Sequence, residues 1–87
     1  MKNFKIYADA GHAWLAVRTA DIEAVGLKVT GFSHYSYCKG GTVYLEEDCD
    51  ARIFVEQWKQ VHGDFAYTVV HHGDRSPIRR YDRVLPF

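Results

Sequence analysis

Apolar and polar residues alternate over residues 4–8, and a second short run, residues 13–18, is mostly apolar. Both runs are rich in residue types that favour β-strands. The four residues between them have turn chemistry, because Asp9 can accept a hydrogen bond from its own backbone two residues on and Gly11 can adopt a positive φ angle. The pattern therefore predicts a first β-hairpin.

A helical period follows residue 48 and is the strongest pattern in the chain. Its apolar positions, three or four residues apart, are Ala51, Phe54, Val55, Trp58 and Val61. Asp48 is the candidate N-cap, Asp50 lies in the first turn, and Gly63 follows the last turn at a C′ position. We expect this helix to bury its apolar face on a β-sheet.

Weaker patterns complete the order of elements. Thr19 is a candidate N-cap for a helix of about two turns that ends before Gly26. The aromatic residues 32–37 and the alternating residues 42–45 predict a second hairpin with its turn at residues 39–41, and residues 65–71 predict a fifth strand. Hairpins separated by helices predict an α+β fold in two layers, a mainly antiparallel sheet of about five strands with two helices, in the order β-β-α-β-β-α-β.

The length of 87 residues, of which 47% are hydrophobic, suits one small domain. We expect residues 1–87 to form that domain, with residues 73–87 as an extended basic tail or an edge strand. The 11 basic residues balance the 11 acidic ones. This balance argues against a broad nucleic-acid-binding field and against an acidic nucleic-acid mimic, so any function that depends on charge must be local.

The two cysteines, Cys38 and Cys49, are too few for a disulfide scaffold, as expected in a reducing compartment. The chain also has no apolar run long enough for a signal peptide or a membrane span. Both features predict a cytoplasmic protein that does not contact a membrane.

Candidate catalytic chemistry is limited to Asp9 and His12, a local acid–base pair on the first turn. The alternative is that Asp9 and Gly11 only build that turn. The histidines, which could ligate a metal, are His12, His34, His62, His71 and His72. Their spacing does not favour a metal site, since adjacent strand residues such as His71 and His72 point to opposite faces. We expect no metal and no cofactor, and a small metal-dependent or acid–base enzyme that uses Asp9 and His12 is an alternative.

Charges of opposite sign are concentrated in two segments. Four acids lie within residues 46–50, and two of them can serve the following helix, which leaves Glu46 and Glu47 to meet a basic partner surface. Four arginines lie within residues 75–83. They define a second alternative, a nucleic-acid-binding accessory protein.

Aromatic residues are more numerous than one small core needs, which is compatible with a monomer or a homodimer. Tyr-rich strands beside a charged rim are typical of protein-binding surfaces, although cross-strand aromatic pairing explains them equally well. The candidate partner-binding residues are Asp9, His12, Trp14, Tyr35, Tyr37, Tyr44, Glu46, Glu47, Arg79 and Arg80.

Three segments resemble a family of small proteins encoded by bacteriophages, prophages and plasmids. The segments are residues 9–17 (DAGHAWLAV), residues 36–51 (SYCKGGTVYLEEDCDA) and residues 74–79 (DRSPIR), and the likeness spans nearly the whole chain. The resemblance implies no enzymatic activity and assigns no residue a role. It implies stoichiometric binding to a bacterial host or defence complex in the host cytoplasm, as anti-CRISPR inhibitors bind theirs.

Overall fold

The computed structural model describes residues 2–33 and 35–84, so His34 and the end of the C-terminal segment lie outside the described residues. The strands are β1 (Asn3–Ala8), β2 (Ala13–Arg18), β3 (Tyr37–Lys39), β4 (Thr42–Glu46), β5 (Ala66–His71) and β6 (Asp82–Arg83). The helices are α1 (Thr19–Ala24) and α2 (Asp50–His62), and two 3-10 turns cover Val29–Gly31 and Pro77–Arg80.

All six strands belong to one sheet with the order β5-β1-β2-β4-β3-β6. Neighbouring strands are antiparallel except β1 and β5, which run parallel. The predicted α+β class and the mainly antiparallel sheet are confirmed, and the order of elements matches approximately. The sheet has six strands rather than five, because residues 82–83 add β6 beside β3.

One face of the sheet packs against the helices and holds the main core. Successive strand residues point to opposite faces, so Leu15 and Val17 on β2 share this face with Val43 and Leu45 on β4. All four are buried. The buried members of this core are Phe4, Leu15, Val17, Ile22, Val25, Phe32, Val43, Leu45, Phe54, Trp58 and Val84.

Helix α2 follows the predicted period over most of its length. Phe54 and Trp58 are buried, and both rings meet Phe4 of β1 edge to face. Burial of each large side chain contributes about 1.5–3 kcal/mol, which holds the helix over β1. Val61, predicted in the core, is 52% exposed. That prediction is wrong because the last turn of α2 extends past the core. There His62 packs against Trp58, with ring centroids 4.0 Å apart.

The predicted N-caps of both helices are wrong. Arg18 precedes α1 and Cys49 precedes α2, and neither side chain accepts a capping hydrogen bond. Thr19 instead donates its hydroxyl hydrogen bond to the carbonyl of Gly41 in the second hairpin. Asp48 lies one residue before the cap of α2, in the turn after β4. The first turn of each helix is therefore stabilised by other parts of the fold.

The second hairpin is tighter than the sequence pattern indicates. Gly40 and Gly41, with φ angles of 57° and 81°, form its two-residue loop, a conformation that glycine adopts without steric cost. Residues 32–37 were predicted as a strand, but of those that the structure describes only Tyr37 belongs to one. The hydroxyls of Ser33 and Ser36 donate hydrogen bonds to the Asp50 carboxylate, and this keeps both serines out of β3.

The opposite face of the sheet, here called the tyrosine face, carries a second and smaller core. Its buried residues are Trp14, Tyr37 and Ile78, and Tyr7, Tyr44 and Tyr81 pack around them. The 3-10 turn Pro77–Arg80 brings Ile78 onto this face, and β6 follows it at the edge of the sheet. The C-terminal segment therefore covers part of the tyrosine face.

Candidate partner-binding site

The first turn is organised by the carboxylate of Asp9. Its Oδ1 accepts the N–H groups of Gly11 at 3.0 Å and His12 at 2.9 Å, so the predicted Asp turn is present. Gly11 does not adopt the predicted positive φ, so the freedom of glycine to take that angle does not explain its presence here. A Cβ atom there would lie 3.1 Å from Nη2 of Arg79. Glycine at this residue therefore leaves room for the close approach of the Arg79 guanidinium.

The same carboxylate forms a two-point ion pair with Arg79. Nε of Arg79 donates to Oδ2 at 2.6 Å, and Nη2 donates to Oδ1 at 3.0 Å. The backbone N–H of Ser76 also donates to Oδ2, at 2.8 Å. The Arg79 guanidinium, followed by the backbone donors, holds the pKa of Asp9 far below its usual range. Asp9 is ionised and surrounded by donors, which makes it unsuitable as a general base.

Arg79 joins this turn to the aromatic residues of the tyrosine face. Its guanidinium carbon lies 5.3 Å from the ring centroid of Trp14, within cation–π range. Trp14 meets Tyr37 edge to face, with ring centroids 6.1 Å apart. Arg83 lies over the ring of Tyr37, with its guanidinium carbon 4.7 Å from the ring centroid. Two arginines and two buried rings thus form one packed unit.

Glu46 organises the acidic segment at the end of β4. Its Oε2 accepts the N–H groups of Asp48 at 2.9 Å and Cys49 at 3.0 Å. Its Oε1 lies 3.9 Å from Nδ1 of His12. We expected Asp48 to serve the helix, and this assignment is wrong, because the carboxylate that bonds the turn before α2 is that of Glu46. Glu46 bonds to the turn, whereas Glu47 and Asp48 are exposed.

Two serines that the sequence analysis did not select hold the start of α2. Asp50 is only 3% exposed, and its Oδ2 accepts hydrogen bonds from the N–H and hydroxyl of Ser33 and from the hydroxyl of Ser36. The buried Oγ of Ser36 also accepts the N–H of Glu46. Because these partners are 10 to 17 residues apart, no local sequence pattern marks them.

A cavity of about 410 Å³ opens where the first turn, the end of β4 and the C-terminal segment meet. We call it the mixed-charge cavity, because aromatic rings, carboxylates and guanidinium groups line it together. Its lining residues are His12, Trp14, Tyr35, Tyr37, Glu46, Asp48, Cys49, Arg79 and Arg83. Its volume falls within the usual range for ligand and side-chain pockets.

The mixed-charge cavity collects many of the candidate partner-binding residues. Those that line it are His12, Trp14, Tyr35, Tyr37, Glu46 and Arg79. Asp9 contacts it through Arg79 and through the N–H of His12, while Tyr44, Glu47 and Arg80 are outside the lining. The ring of Tyr44 instead packs against Tyr81 and Tyr7, and burial together with these two hydroxyls raises its pKa. Arg83 enters the cavity because β6 pairs with β3, a contact between distant parts of the chain.

Cys49 is the one thiol that lines the cavity among the described residues. Desolvation is the largest effect on it, and the nearby carboxylates of Glu46, Asp50 and Asp48 act in the same direction, so the pKa of the thiol is raised. A raised pKa keeps the thiol protonated near neutral pH. Cys49 therefore lacks the activation that nucleophilic cysteines have.

One group of side chains on the rim of the cavity has the atoms to ligate a metal ion. Its imidazole and carboxylate ligand atoms all lie within 4.8 Å of one another, and three of its four members are exposed. The members are His12, Glu46, Glu47 and Asp48. The other described histidines lie elsewhere: His71 ends β5, His62 packs against Trp58, and His72 stacks on Tyr7 with ring centroids 4.9 Å apart.

No helix within residues 2–33 and 35–84 combines the length and the apolarity that crossing a bilayer requires. Comparisons of the chain with protein-family models, with curated proteins and with solved structures found no match. The function is therefore inferred from the geometry and chemistry of the mixed-charge cavity and from the resemblance of the sequence segments.

Proposed function

We propose that this chain is a non-enzymatic accessory protein of a phage or another mobile element. It binds a bacterial host or defence protein complex stoichiometrically through the mixed-charge cavity. The observation that carries the proposal is the composition of the cavity, in which Trp, Tyr and Arg side chains are brought together. These residue types dominate the energetics of protein–protein interfaces. The phage-like sequence segments support the origin, and inhibition of a CRISPR effector is the first activity to test.

The carboxylates of the cavity favour a partner that presents a basic side chain. Asp9 already neutralises the guanidinium of Arg79. Glu46 and Asp48 place carboxylates beside the aromatic residues Tyr35 and Tyr37. An arginine or lysine of the partner can pair with these carboxylates while its stem packs on the rings. The same carboxylates repel phosphate groups, which argues against nucleic acid as the ligand.

The groups that a catalytic function would use are poorly suited to it. Asp9 is bonded within the fold, and the Cys49 thiol is held protonated by its raised pKa. His12 lies beside Glu46 on the exposed rim of the cavity. A binding function requires only shape and charge from these residues.

Affinity capture from bacterial lysate, quantified against matched variants, tests the proposal. Tyr35→Ala and Asp48→Lys alter exposed residues that line the cavity, whereas Ile53→Ala and Asp64→Lys alter exposed residues elsewhere. The wild type and both controls should recover the same partner in a constant ratio. The two cavity variants should lose at least about tenfold in recovery, the loss expected from removal of one central contact.

Recovery of no specific partner, or equal recovery by cavity variants and controls, would contradict the proposal. A phage-protection assay in a strain with an active CRISPR system extends the test to the proposed activity. Binding of DNA or RNA that weakens steeply with salt would favour the nucleic-acid alternative instead.

The metal-ligand group on the rim favours one other candidate, a metal-dependent module that uses His12 and Glu46 rather than Asp9. Titration calorimetry with Zn²⁺ and with Mn²⁺ distinguishes it from the binding protein. Saturable binding of one ion per chain that His12→Ala abolishes would support the metal-dependent module. Heats that do not saturate, or that His12→Ala leaves unchanged, would remove it.

A further inference from the structure

Strand β5 forms an open edge of the sheet. Among the described residues it pairs only with β1, in an unbroken register from Asn3 opposite Ala66 to Ala8 opposite His71. Its sequence, AYTVVH, contains no Lys, Arg, Asp, Glu or Pro. Natural sheets protect their edges with charged residues, prolines or bulges. The edge of β5 lacks these devices and is open to pairing with another strand.

The hydrogen bonds to β1 determine which backbone groups this edge offers. The N–H of His72 donates to the carbonyl of Ala8 at 2.7 Å. In a parallel ladder, every second residue directs both its N–H and its carbonyl to the same neighbour. Thr68 and Val70 therefore bond to β1, while Tyr67, Val69 and His71 direct their backbone groups towards the open side.

The side chains of these outward-bonding residues lie on the helix-covered face of the sheet. Tyr67 is in register with Phe4, and residues in register share a face. Helix α2 packs on Phe4, yet Tyr67 is 55% exposed and Val69 is 42% exposed. The edge thus combines unpaired backbone groups with apolar side chains that the helix does not cover.

We propose that β5 pairs antiparallel with β5 of a second copy of this chain, about a twofold axis at Val69. This register opposes Val69 to Val69 of the second copy and Tyr67 to His71 of the second copy. Each of the outward-bonding residues then lies in a hydrogen-bonded pair, so every N–H and carbonyl that they direct to the edge is satisfied. The side chains of Tyr67 and Val69 then pack between the α2 helices of the two copies.

A second copy fits this edge because the pairing is self-complementary. A twofold axis brings each residue of the strand opposite an uncharged residue, so no like charges oppose one another within Ala66–His71. In this register Asp64 comes level with Asp74 of the second copy, but both residues are exposed and lie beyond the ends of the strand, so solvent screens their repulsion. The mixed-charge cavity is lined by residues outside β5, so the dimer leaves it accessible.

Charge complementation at residue 69 tests both the dimer and its register. Light scattering should give the wild type twice the chain mass of 10.0 kDa. Val69→Lys and Val69→Glu should each be monomeric, because the axis opposes identical charges. An equimolar mixture of the two variants should recover the dimer mass. Thr68→Lys, with its side chain on the other face and opposite Val70 of the second copy, should stay dimeric.

A wild type that has the mass of one chain at concentrations up to about 1 mM, where even weak association is visible, would overturn the proposal. Unchanged dimer mass in Val69→Lys, or a mixture that stays monomeric, would also overturn it. Hydrogen exchange on the wild type gives a second measurement that needs no variant. The amides of Tyr67, Val69 and His71 should be protected at high protein concentration and exchange at least about tenfold faster on dilution. Concentration-independent exchange would count against the dimer.

Discussion

Asp9 and Arg79 are 70 residues apart in the sequence and form a two-point ion pair with N···O distances of 2.6 and 3.0 Å. The side chain of Asp9 is fully enclosed, and that of Arg79 is 24% exposed. The pair connects the first hairpin to the segment that covers the tyrosine face. Because Arg79 also lines the mixed-charge cavity, the shape of the proposed binding site depends on this contact.

Replacement of either member should lower thermal stability. Asp9→Asn removes the charge, and Arg79→Lys keeps a charge but loses the planar fork that makes two parallel hydrogen bonds. We expect the Tm measured by circular dichroism to fall by about 5 °C or more for each variant. Asp64→Asn, a change at an exposed acid, is the control and should leave Tm within about 1 °C. A Tm unchanged in both pair variants would contradict this account.

The pair should also make stability depend on pH in the acidic range. The pKa of Asp9 is lowered by folding, whereas in the unfolded chain it is near its ordinary value of about 3.9. The stabilisation is therefore complete above that value and is lost progressively as the pH falls below about 4. Urea unfolding of wild type and Asp9→Asn should show a stability difference that is largest near neutral pH and narrows in acid. A difference that stays constant down to about pH 2 would contradict the prediction.

Gly11 provides a test of the packing around the ion pair. A Cβ atom at this residue would meet the Arg79 guanidinium at 3.1 Å. Gly11→Ala should displace that group and destabilise the fold by roughly 1–2 kcal/mol in urea unfolding. Gly31→Ala is the matched control, because its Cβ would meet nothing within 4 Å and its φ is not positive. Equal effects of the two substitutions would show that the contact with Arg79 is unimportant.

Local patterns account for the elements that the sequence predicted correctly. The helical period of α2 and the Gly40–Gly41 turn depend on residues close together in the chain. Residues 32–37 were predicted as a strand because aromatic residues favour strands, but Asp50 binds Ser33 and Ser36 and keeps these two residues out of a strand. Such a contact between separated segments overrides local propensity.

The site shows the same division between local and distant contacts. The Asp9 turn could be predicted, because its N–H donors are two and three residues away. Its pairing with Arg79 could not be predicted, since many acids and arginines in the chain are equally compatible with such a pair. The N–H donors to Glu46 are also two and three residues away, but the sequence analysis assigned the turn-stabilising role to Asp48. Several neighbouring carboxylates in residues 46–50 can accept backbone N–H groups, so the local pattern does not single out Glu46.

Ser36 should contribute to stability through both of its hydrogen bonds. Ser36→Ala leaves the N–H of Glu46 without its acceptor and removes a donor from the buried Asp50 carboxylate. We expect a loss of about 1–3 kcal/mol in the free energy of unfolding. Thr30→Ala, at an exposed residue, should change it by less than about 0.5 kcal/mol. A loss in Ser36→Ala no larger than in this control would indicate that the network is not formed in solution.

The most direct test of the central claim is site-specific photo-crosslinking at the mixed-charge cavity. A photoreactive phenylalanine analogue replaces Tyr35, which is 54% exposed and lines the cavity, or Ile53, which is 46% exposed on α2. Irradiation in bacterial lysate should give one discrete protein adduct from residue 35 and none from residue 53. Absence of an adduct from residue 35, or the same adducts from both residues, would contradict the assignment of this cavity as the partner-binding site.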